Sequence, residues 1–195
     1  MRLALVLLVF VLLVPLARAD GDPASDYLYT LKVFVPFDVA KPAQAAQLTA
    51  DVEGATKAGF PIRVAVIGSA YDLGSVPSLW RKPRLYARFL GAELAFVYKQ
   101  RLLIVMPNGF GFFWKGHPVT REYATLTKIP VAGGRRGLLT AARDAVQALA
   151  ADANVRVRPQ AAPKSTTGRD RAIIAIVALL LIAAALVGRV ALRRR

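Results

Sequence analysis

The sequence predicts an α/β domain, a small central sheet sandwiched by helices, joined to one C-terminal transmembrane helix. Three observations point there. Short β-rich runs alternate with segments of helical periodicity between residues 42 and 150, the pattern of a layered α/β unit. The β-run P-I-R-V-A-V-I-G-S is apolar on both faces apart from Arg63, as a strand covered on both sides must be. The chain also begins and ends in long apolar runs of different kinds.

The first run follows Arg2 and extends uninterrupted from Leu3 to Val14, where Pro15 breaks it ahead of Ala17-Arg18-Ala19. A cation, an apolar stretch and a small-x-small site make a secretory signal peptide over 1–19, cleaved before Asp20. An uncleaved anchor is disfavoured, because the run is short for a membrane span of about 20 residues. The last run has no charge from Ala172 to Gly188 and reaches twenty-one residues at Leu192, with Arg189 snorkelling toward the headgroups. At about 1.5 Å per residue it crosses a hydrocarbon core of roughly 30 Å. The expected order is therefore signal peptide 1–19, extracytoplasmic domain 20–158, linker 159–171, transmembrane helix 172–192 and cytoplasmic basic tail 193–195. The protein is expected in the cell membrane, single-pass, with its N-terminal domain outside and its C-terminus in the cytoplasm.

Location changes the meaning of charge. The whole chain carries a formal +15, but residues 20–163 hold seven Lys, eleven Arg and eleven acidic residues, leaving +7. That balance suits anionic headgroups or cell-wall polymers, and export separates the domain from nucleic acid. With no cysteine the domain must rest on its own core, for which about 140 residues suffice. Nineteen Arg against eight Lys, with abundant Ala, Val and Gly, suggests a bacterium of high genomic GC content.

Within the domain, Pro42 suits the first position of a helix and Gly59 the left-handed position after its last turn. Ala45, Leu48, Val52 and Ala55 make its apolar stripe. In the strand that follows, Ile62, Val64 and Val66 share one face and Ala65 and Ile67 the other. A second helix starts at Pro83, with Leu85, Phe89 and Leu90 expected inward and Arg84 and Arg88 on another face. Two β-runs then flank Pro107-Asn108-Gly109, a hairpin signal. They place Phe110, Phe112 and Trp114 on one face and Phe113 on the other; the pair of faces is expected to be buried, and an exposed Phe110 face would be a docking patch. A final helix turns Leu138, Leu139, Ala142, Val146 and Leu149 inward after a break at Gly133-Gly134.

This order resembles the TPM-domain family of thylakoid-lumen repair proteins and bacterial envelope proteins, over roughly 38–150. The carriers are A-A-Q-L-T-A-D-V-E-G-A-T-K-A-G-F-P-I-R-V-A-V-I-G-S, Y-A-R-F-L-G-A-E-L, R-L-L-I-V-M-P-N-G-F-G-F and I-P-V-A-G-G-R-R-G-L-L-T-A-A-R-D-A-V-Q-A-L. The resemblance implies a small sheet between helices and a role in membrane-protein maintenance. Phosphatase activity and calcium binding are attributed to some members. Here, however, only Asp72 follows the first strand and only Glu122 precedes the last helix in the regions where relatives carry acidic residues.

Candidate chemistry is sparse. Calcium favours several carboxylates, and the one acidic cluster, Asp20, Asp22 and Asp26, lies beside the cleavage point where a terminus is expected to fray. A single histidine and no cysteine disfavour zinc, so no cofactor or metal is expected. His117 could act as a base only if Ser69 and Asp72 met it in space. The stretch W-R-K-P-R-L-Y-A-R-F, residues 80–89, carries the more distinctive pattern. Trp80, Arg81, Lys82, Arg84 and Arg88 make either a solvated cationic helix face or a binding patch. The function expected is a membrane-tethered binding or accessory domain attending another envelope or membrane protein, or anionic headgroups. The alternatives are a phosphatase-like hydrolase and a cell-wall anchor.

Overall fold

The computed structural model describes residues 21–157 other than 37, 40 and 41, and these form an α/β domain built on one four-stranded mixed sheet. The expected signal peptide, linker, transmembrane helix and basic tail lie outside the described residues. Among the described residues no helix is long and apolar enough to cross a membrane.

In chain order the elements are α1 (Pro23–Thr30), β1 (Val33–Phe34), α2 (Pro42–Lys57), β2 (Ile62–Val66), α3 (Pro83–Glu93), β3 (Arg101–Met106), β4 (Gly109–Phe113), α4 (Thr120–Leu126) and α5 (Gly134–Asp152). Two short 3-10 turns, Ala70–Leu73 and Pro77–Leu79, lead from β2 to α3, and a third, Leu94–Phe96, follows α3. The sheet order is β1-β2-β3-β4; the first three strands are parallel, and β4 returns antiparallel to β3. The hairpin turn is Pro107-Asn108, with Gly109 opening β4 at φ 129°, a conformation that favours glycine. Asn-Gly therefore straddles the end of the turn instead of forming its centre.

Both sheet faces are covered, as alternation along the strands requires. Val64, Val66, Leu103, Val105 and Phe112 pack with Leu48 and Val52 of α2 and Leu139 and Val146 of α5. On the other face Ala65, Ile67, Leu102, Ile104 and Met106 meet Leu28 of α1 and Tyr86 and Leu90 of α3. Each such large aliphatic side chain stabilises the fold by about 1.5–3 kcal/mol when fully buried. Phe110 and Phe112 are 8% and 1% exposed, which removes the alternative of an exposed aromatic patch on that face.

Two expectations change. Leu85 is 45% exposed, because the buried stripe of α3 runs Pro83, Tyr86, Ala87, Leu90, Gly91. That spacing of three and one is a full helical stripe, and Leu85 lies one residue, about 100°, off it. The expected frayed terminus is instead α1, with Asp22 as its N-cap accepting from the Ala24 amide at 3.2 Å. Tyr86 Oη, wholly buried, hydrogen-bonds to the same carboxylate at 2.8 Å and so clamps α1 onto α3.

Burial raises the Asp22 carboxyl from 3.8 to about 6, against the pull of Tyr86 and the Ala24 amide and with help from Glu93 and Asp26. The folded state thus favours the neutral form. The penalty for ionisation is present above pH 6 and disappears as pH falls through 6 toward 3.8. Asp22→Asn keeps a capping side chain without the charge. It is expected to stabilise the domain by roughly 1–2 kcal/mol at pH 7.5 and by nothing at pH 4. Urea unfolding at the two pH values checks this, and an equal gain at both would contradict it.

Candidate functional site

Lys82, Pro83 and Arg84 begin α3 where it crosses the outer strand of the sheet. The approach is set by Gly111, whose missing side chain leaves room for the Pro83 carbonyl against β4. This close crossing positions the first turn of α3, with its cations, beside the open edge of β4. Opposite that turn lie α4 and the segment entering α5. A cleft of about 710 Å³ runs between the two, lined by Lys82, Arg84 and Leu85 on one side and Leu126, Ile129 and Val131 on the other. Asn108, Gly109 and Phe110 complete its wall. A second cleft, about 500 Å³, continues past Arg84 and Tyr123 and is lined by Arg88, Trp114 and His117. No described residue lining either cleft is acidic.

Arg84 and Tyr123 form the ridge between the clefts, the guanidinium carbon 4.4 Å from the ring centroid. That stacking spends the apolar face of the guanidinium and leaves its N–H groups available along the rim. Tyr123 Oη in turn accepts from the Phe112 amide at 2.8 Å and donates to the Phe112 carbonyl at 3.1 Å. A single phenol thereby satisfies one residue of the β4 edge and fixes the ridge to the sheet.

The five sequence candidates separate. Lys82 and Arg84 line the first cleft, Arg84 and Arg88 the second, and all three are exposed. Trp80 is half-buried and packs against the core on the α3 side, lining neither cleft. Arg81 lines neither cleft but sits at φ 59°, and its carbonyl accepts from Asn108 Nδ2 at 2.6 Å. A left-handed non-glycine residue costs about 1–2 kcal/mol. Here the bond from the hairpin turn helps hold that conformation, and it ties the turn to the start of α3.

Tyr123 and the apolar wall from Leu126 to Val131 were not singled out in the sequence. Residues 120–126 form only a seven-residue helix, too short for a clear apolar period, so no local signal marks Tyr123.

The histidine constellation does not assemble. Ser69 and Asp72 follow the C-terminal end of β2, whereas His117 follows β4 at the opposite end of the sheet, because β4 runs antiparallel. Asp72 is engaged locally, its Oδ2 accepting from the Gly68 and Ser69 amides at 2.8 and 2.7 Å. Burial raises its carboxyl above the ordinary range despite those two bonds. His117 stacks on Trp114 with centroids 3.8 Å apart. Among the described residues no three His, Cys, Asp or Glu side chains gather as a metal-holding group.

Two further cations are used structurally at the N-terminal ends of β2 and β3. Arg101 lies between Phe60 and Trp114, 4.3 and 3.9 Å from their centroids, and Arg63 lies 4.1 Å from that of Tyr98. Burial lowers the pKa of both guanidinium groups from their ordinary value, which still leaves them cationic. Comparison of the chain with family models, curated proteins and solved structures finds no match.

Proposed function

We propose that this protein is a membrane-tethered extracytoplasmic binding domain, TPM-like in the order of its elements, which docks on another envelope or membrane protein. The observation that carries this reading is the cleft at the start of α3: Lys82 and Arg84 line it, Arg88 lines its continuation, and no described carboxylate lines either part. A rim of this kind attracts anionic groups and disfavours cationic ones. The hydrolase alternative has less to support it, since Ser69 and Asp72 stand at the other end of the sheet from His117.

The test is crosslinking and capture of the full-length chain from intact membranes, wild type against Lys82→Glu/Arg84→Glu/Arg88→Glu. All three side chains are exposed, so the variant should still fold, with the lost Arg84 stack on Tyr123 lowering its stability by no more than about 1 kcal/mol. Recovery of a specific membrane protein is expected to fall by about tenfold or more, as like charges replace opposite ones at the rim. An unchanged catch refutes the cleft as the contact. Turnover of a phosphomonoester by the purified wild-type protein, lost in Asp72→Asn, would favour the hydrolase.

A further inference from the structure

The ligand of the basic cleft can be narrowed, on the assumption that the cleft is the docking site. The edge of β4 supplies the argument. Val105 and Phe110 face each other across the hairpin, and the Val105 carbonyl accepts from the Ile67 amide at 2.9 Å on the β2 side. Val105 therefore directs its main-chain groups away from β4, and Phe110, its antiparallel partner, directs its own N–H and C=O outward to the open edge. Phe112 points the same way, and its two groups are taken up by Tyr123. Those of Phe110 have no partner among the described residues, and Phe110 lines the cleft.

A donor and an acceptor on a sheet edge that lines a cleft form a place for one more strand. Tyr123 closes the edge at Phe112, so the added strand is short. The walls differ in chemistry. One carries Lys82 and Arg84 from α3, and the other carries Leu126, Ile129 and Val131. Side chains of an added strand alternate between exactly such opposed walls. We propose that the cleft binds a short, extended peptide segment of alternating acidic and apolar residues, which adds to β4 by exchanging hydrogen bonds with Phe110. Its carboxylates meet the α3 cations, and its apolar side chains fill the α4–α5 wall.

The test uses the full-length protein in zwitterionic micelles and a fluorescent peptide of three Glu-Leu repeats with blocked ends. Two further peptides are N-methylated, one at every Glu and the other at every Leu. In a strand the two sets of amides face opposite edges, so only one set can reach Phe110. The expected result is saturable binding that one methylated set weakens by about tenfold, in keeping with the loss of a main-chain hydrogen bond, while the other set leaves it intact. The Phe110 amide should also become protected from hydrogen exchange. Equal affinity for all three peptides, with an unprotected Phe110 amide, overturns strand addition but leaves a charge-based docking site. Binding to phosphatidylglycerol vesicles without binding to any peptide overturns the peptide in favour of a lipid surface. Binding to neither overturns this proposal, and the capture experiment decides separately whether the cleft docks a protein at all.

Discussion

Replacing Gly111 by alanine is expected to destabilise the domain by about 3 kcal/mol and to abolish ligand capture together with it. A Cβ at this position would overlap the carbonyl group of Pro83 and stand 2.9 Å from the Ala87 methyl. The obstacle is backbone on a helix that is itself packed on the sheet through Tyr86 and Leu90, so α3 must move as a body. Movement carries Lys82 and Arg84 away from the β4 edge, which links the stability of the crossing to the geometry of the cleft. Gly91 makes an instructive control. Its Cβ would meet the ring of Phe113, a partly buried side chain that can turn aside. Gly91→Ala is expected to cost about 1 kcal/mol, at the mild end of overpacking, and to keep ligand capture. Urea unfolding of the two variants checks the order, and a Gly111 variant as stable as wild type would show that α3 is not held by that contact.

The second large effect lies on the opposite side of the sheet. Asp51 of α2 is 1% exposed and accepts from Arg143 Nε of α5 at 2.5 Å and from Gln47 Nε2 at 3.2 Å. Arg143 is 38% exposed, so its charge keeps access to water while that of Asp51 does not. Loss of the arginine is therefore the more costly change, because it leaves a buried carboxylate without its counter-charge. Arg143→Leu is expected to cost about 3 kcal/mol, the lower end for breaking a buried pair, since the rim of the site is wet. Asp51→Leu should cost roughly 1 kcal/mol, and the double variant Asp51→Leu/Arg143→Leu should lie within about 1 kcal/mol of wild type. A double variant as unstable as the sum of the two single ones would mean that the pair does not act as a unit.

The periodicities that located α2, β2, the hairpin and α5 were readable because each depends on burial of a local apolar pattern. Pro42 at the first helical position and Gly59 at φ 95° behaved as punctuation for the same local reason. Short elements were not readable. The two residues of β1 gain their strand character only by pairing with Val64 and Ala65, and α1 is held by a bond from Tyr86, sixty-four positions away. The rotation of α3 was also beyond local reach. Leu85 and Tyr86 are both apolar enough to face inward, and contact with β4 at Gly111 favours the stripe containing Tyr86.

The sequence by itself determined the α/β class, the two-faced burial of β2, the hairpin and the exposed cations Lys82, Arg84 and Arg88, all properties of composition and near-neighbour spacing. The tertiary structure alone decided which of the basic residues share a cleft, that Tyr123 caps Phe112, and that Ser69 and His117 lie at opposite ends of the sheet. Those outcomes depend on strand order and direction and on how closely helices cross the sheet. Such quantities are set by contacts between residues far apart in the chain, and no window of local sequence contains them.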